Sequence, residues 1–74
     1  MTFLEAAKQK KKISHIWLNV ANGDITIWSN DDKTLYITEE YLGDRSEIWV
    51  VEENKEGVEI IRHNVRYISS ISWQ

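Results

Sequence analysis

The chain has 74 residues, a formal net charge of −3 and no cysteine. That length makes one domain, 1–74, and a chain so short buries only about 60% of its unfolded surface, so its own core is marginal. The missing cysteine excludes disulfides and thiolate metal sites, and the negative balance weighs against a general nucleic-acid binder.

The charge is unevenly spread. Lysines gather between Lys8 and Lys12, Arg62 and Arg66 lie near the end, and acidic residues fill the middle from Asp31 to Glu59. Residues 2–11 read as a short helix within an N-terminal segment, 1–12. Thr2 is placed to cap it, Glu5 follows three residues later as a capping box requires, and the lysines suit the negative end of the helix dipole. A helix this short needs tertiary support, which predicts that Phe3 and Leu4 dock on the rest of the chain. The segment has the apolar length of neither a signal peptide nor a membrane span, so a soluble cytoplasmic protein is expected.

From residue 13 to 74 the pattern is that of strands. "ISHIWLNVANGDITIWS" reads as a hairpin turning at Asn22-Gly23, because a type I′ turn needs positive φ at both central residues. That register sets Val20 against Ile25, Leu18 against Ile27 and Trp17 against Trp28. "NDDK" at 30–33 is the next turn, then "TLYITEE" is a strand and Gly43-Asp44 a bend. "EIWVVEE", "VEIIR" and "RYISSISW" are further strands, separated by "NKEG" at 54–57, with Gly57 suited to a left-handed position, and by a tight turn at "HNV". The fold class predicted is mainly β: a short N-terminal helix followed by a five-stranded, strongly bent antiparallel small barrel, whose closure would remove its edges.

Several strands are apolar on both faces. Trp17 and Trp28 lie opposite the Leu18 and Val20 face, and Trp49 and Val51 lie opposite Ile48 and Val50. This predicts a second buried layer, supplied by the helix or by another molecule, with Trp17, Trp28 and Trp49 as candidate interface residues.

The stretch Ile61-Arg62-His63-Asn64-Val65-Arg66-Tyr67-Ile68 resembles the second motif of Sm-like proteins, close to I-R-G-N-x-V-x-x-I. "LNVANGDITIW" is similar to part of the family's first motif, and the order of a helix and small-barrel (SH3-like) strands fits as well. His63 stands where the family has glycine, the turn is one residue shorter, and the first motif's base-pocket aspartate and asparagine have no clear equivalents. The resemblance implies self-association, as a ring built by pairing a strand of one subunit with a strand of the next, and contact with single-stranded RNA or a nucleotide at a central pore. Arg62, His63 and Asn64 would line that pore with Arg66 beside them; arginine would contact phosphate or stack on a base, and asparagine would read a base edge.

An alternative reading rests on the negative charge and the tryptophans. It is a protein-interaction, assembly or ligand-sequestering accessory protein, of the kind carried by phages and mobile elements, that binds no nucleic acid. Catalytic patterns are absent from the sequence. His15 and His63 have no carboxylate at metal-ligand spacing, and neither a nucleophile triad order nor a Gly-rich phosphate loop occurs. Asp31-Asp32 and Glu39-Glu40 are adjacent pairs, whose side chains point to opposite faces of a strand. The expectation is a binding module, without catalytic residues, metal or cofactor.

Overall fold

The computed structural model describes residues 2–74. One short helix, α1 (Phe3–Lys8), precedes β1 (Lys12–Val20), β2 (Gly23–Trp28), β3 (Lys33–Leu42), β4 (Arg45–Asn54) and β5 (Glu59–Asn64). A 3-10 turn, η1 (Val65–Tyr67), leads into the last strand, β6 (Ile68–Trp73). The strands form one antiparallel sheet curled into a half-barrel. The mainly β small-barrel architecture is therefore as the sequence predicts.

Six strands form, one for each of the six runs read from the sequence, and the sheet is five-stranded as predicted once β2 and β3 are counted as a single bent strand. β2 and β3 both pair along the same side of β1, whose other side takes β6. His15 faces Trp28 and Ile13 faces Leu35, so two steps along β1 correspond to seven along its partner. The "SNDD" turn is thus a loop thrown out of one long bent strand. Asn30 closes it by exchanging backbone hydrogen bonds with Lys33 and accepting the Asp32 N–H on its side chain.

The first hairpin turns one residue earlier than predicted. Val20 pairs with Gly23, Leu18 with Ile25, Ile16 with Ile27, Trp17 with Thr26 and His15 with Trp28. Of the turn residues only Gly23 takes positive φ, +121°. Two residues without positive φ, followed by a glycine that has it, fit a type I turn with a bulge rather than type I′. The pairs shift by two, so every side chain keeps its predicted face. At the next hairpin Gly43 has φ +68° and Asp44 does not share it, the pattern of a type II′ turn, and both flanking strands run further than predicted. Gly57, at φ +81°, takes the left-handed position expected of it.

The core contains Ile13, Ile16, Leu18, Leu35, Ile37 and Val50, with Ile27, Ile48, Ile68, Ile71 and Trp73 packed around it. Each large apolar side chain buried contributes about 1.5–3 kcal/mol. Ile13 and Ile16 both point inward although three apart, because β1 bulges against β6 between Ile13 and His15. The helix packs on β3 and β4 through Ala6 and Ala7, both buried. Phe3 and Leu4, predicted to dock, are 48% and 41% exposed. Alanines let the helix axis come close to the sheet, which turns the two larger residues outward.

Closure is incomplete. η1 joins β5 to β6, and no ladder joins those strands among the described residues, so β2, β5 and β6 each retain an outer edge. Nor does the helix cover the outer tryptophans: Trp17 is 48% and Trp28 56% exposed.

Candidate functional site

Arg62, His63 and Asn64 end β5, and successive residues there alternate between faces. Asn64 stops the strand and caps η1, its side-chain oxygen accepting the Arg66 backbone N–H at 3.0 Å and Arg66 Nε at 3.2 Å. Its Nδ2 donates to Glu47 at 2.8 Å. That set of bonds satisfies an amide that is only 7% exposed, and it swings Arg66 back over β4.

Each cation of this stretch meets a carboxylate. Arg62 donates to Glu59 through Nε and Nη2, at 3.1 and 2.7 Å, and to Glu40 through Nη1. The Glu59 hydrogen bonds, strengthened by Glu40, push the Arg62 guanidinium above its ordinary range, and the bonds from Arg62 hold the Glu59 carboxyl below its own. Arg66 reaches Glu47 at 3.1 Å, with Arg45 on the same carboxylate at 3.6 Å. His63 Nε2 lies 2.6 Å from buried Glu52, which also takes Lys33 Nζ at 3.1 Å. Four carboxylates thus meet four full cations and a histidine. The sequence suggests a local basic patch; the fold makes it a nearly balanced network.

Part of this network borders an open hollow of about 530 Å³. β5 and η1 supply Arg62, His63, Asn64, Arg66 and Tyr67; β4 supplies Glu47 and Trp49; the end of β1 supplies Leu18, Asn19 and Val20. The Arg62 guanidinium lies 5.6 Å from the centre of the Trp49 ring, and that of Arg66 lies 6.0 Å from Tyr67. Tyr67 is 64% exposed at the rim. The Trp49 indole N–H is buried and meets no acceptor among the described residues. Aromatic rings and flat guanidinium groups, with charge largely neutralised in place, form a surface suited to planar, weakly charged groups.

The fold therefore gathers Arg62, His63, Asn64, Arg66 and Trp49 at one hollow and leaves Trp17 and Trp28 elsewhere. Those two lie on the outer face of β1 and β2, where His15 stacks on Trp28 with ring centres 4.0 Å apart and lies 6.5 Å from Trp17. Lys11 and Lys12 spend their charge over Trp73 and Tyr36. Tyr67 and the acidic partners are the residues that sequence reasoning missed. A local signal existed for one of them, Glu59 three residues before Arg62; Glu40, Glu47 and Glu52 come from strands whose register had to be known first.

No group of three or more metal-ligating side chains occurs among the described residues, and no helix there is long and apolar enough to cross a membrane. No protein-family model, curated protein or solved structure matches the chain.

Proposed function

We propose that this chain is a non-enzymatic, cytoplasmic binding module of Sm-like type, and that its hollow receives an RNA base or a nucleotide-like ligand. The observation that carries the reading is the convergence of Trp49, Tyr67, Arg62 and Arg66 on one open hollow. Because both guanidinium groups are already paired with carboxylates, the ligand's ring supplies most of the contact, stacking on Tyr67 and on the arginine planes. Phosphate would have to displace Glu47 or Glu59, so binding should depend only weakly on salt. Self-association belongs to the same reading, supported by the three strand edges that remain open.

The test is a titration of the chain with short single-stranded RNA and with a nucleoside monophosphate, followed by tryptophan fluorescence. Tyr67→Ala should weaken binding about tenfold or more, the worth of one stacked base. Equal affinity in wild type and variant, or no binding of either ligand, would refute the assignment of the hollow.

A second reading, a protein-interaction module without nucleic acid, is favoured by one observation: Trp17 and Trp28 are about half exposed on the same face. On that reading Trp17→Arg abolishes recovery of a partner protein while far-UV circular dichroism stays unchanged. Recovery undiminished by the substitution counts against it.

A further inference from the structure

The strand least covered by the rest of the molecule is β2. Five of its six residues are exposed, Ile25 at 48% and Trp28 at 56% among them, and it packs substantially on β1 alone. Its sequence, "GDITIW", has no lysine, arginine or proline, the residues that normally spoil an open edge for pairing. β5 differs because Glu59 and Arg62 charge it, and β6 differs because most of its residues are partly covered.

The backbone of β2 is in order for a partner. Ser29 N–H donates to Ser14 O at 2.8 Å, which fixes the alternation along this side of β1: odd-numbered residues of β2 aim their backbone groups at β1. Asp24, Thr26 and Trp28 then aim theirs outward. An antiparallel copy of β2 can meet these groups about a two-fold axis through Thr26. In that register Thr26 faces its own copy, Ile25 faces the partner's Ile27, and Asp24 faces the partner's Trp28. The one charged residue of the strand meets an indole rather than another charge, and threonine opposite threonine is a favourable cross-strand pair.

We infer that β2 is a homodimer edge, by which two copies of this chain join their curled sheets into one continuous antiparallel sheet around a two-fold axis at Thr26. The inference deepens the self-association part of the proposed function and is independent of the ligand in the hollow. It places an isologous contact at one edge, so that the same patch serves both subunits and the assembly closes at two.

Sedimentation equilibrium of the full chain over a range of concentrations tests it. Wild type should fit a monomer–dimer equilibrium. Thr26→Lys sets two like charges against each other at the axis and should raise the dissociation constant about tenfold or more, with the circular dichroism spectrum and melting temperature retained. Ile25→Lys, one residue from the axis at an exposed position, serves the same purpose should Thr26→Lys fail to fold. Ile60→Lys on β5 and Ser70→Lys on β6 should leave the dimer intact. A chain that assembles but is disrupted only by Ile60→Lys or Ser70→Lys, or that ignores all the substitutions, overturns the β2 edge and leaves self-association standing. A chain that stays monomeric at its highest soluble concentration overturns both.

Discussion

Lys10 shows how much one residue can say about a chain end. The last turn of α1 closes with two backbone bonds, Lys10 N–H to Ala7 O at 3.1 Å and Lys11 N–H to Ala6 O at 3.0 Å. This is the Schellman arrangement, and it puts Lys10 in the left-handed position, φ +50°, where glycine is usual. A side chain there costs about 1–2 kcal/mol, part of which glycine gives back through its greater freedom in the unfolded chain. Lys10→Gly should therefore stabilise the protein by about 0.5–1 kcal/mol, read as a melting temperature a few degrees higher. An unchanged or lowered value would mean that the lysine side chain contributes something its exposure does not suggest. The same position explains why the lysine run misled the sequence reading. Four lysines in five residues look like the helix's own C-terminal charge, yet only Lys8 is helical; Lys10 turns the chain, and Lys11 and Lys12 lie over Trp73 and Tyr36. At the hollow, the basic side chains were legible one by one. The carboxylates that reach them from β3 and β4, Glu40, Glu47 and Glu52, were not, since a cross-strand pair is invisible until register is known.

At the scale of elements, the sequence carries strand identity and face better than it carries pairing. Alternation assigned Leu18 and Ile27 to the inner face and Trp17 and Trp28 to the outer one, and they lie there. The observed register differs by two because Asn22-Gly23 predicts a type I′ turn, whereas Asn22 does not take positive φ and Gly23 alone does. A slip of two preserves every face, which is why the core survived the error. β2 and β3 were separated correctly by the polar "SNDD" signal, but that signal cannot say that both lie along the same side of β1. Such information belongs to the sheet and not to any local stretch. The helix fared similarly. Its start was written in Thr2 and Glu5, whose N–H donates to the Thr2 hydroxyl at 3.1 Å. Which side it would bury depended on how close the sheet lets it approach, and two alanines won over two larger residues.

The whole molecule is tied together by charge as well as by its small core. Glu40 on β3 and Glu47 and Glu52 on β4 anchor β5 and η1 through Arg62, Arg66 and His63, with Glu59 closing the set within β5 itself. The β4–β5 ladder holds that end of the sheet, and the network adds side-chain ties across the same strands. The network's protonation should then be felt in global stability. The Glu59 carboxyl is held below its ordinary range, first by the hydrogen bonds from Arg62 and then by the guanidinium charge. A carboxyl with a lowered value in the fold binds its proton more readily in the unfolded chain. The stability it contributes is accordingly complete above the ordinary glutamate range and is lost as the pH falls through the lowered value. Glu59→Gln keeps the size of the side chain and removes this linkage. Urea denaturation across a pH series should find wild type more stable than Glu59→Gln at neutral pH and the two curves converging in acid. The gap should also narrow as salt is added, because the pair is exposed. A gap that stays constant down the acid limb would show that the difference between the two proteins does not come from the ionised Glu59 carboxylate and its pairing with Arg62.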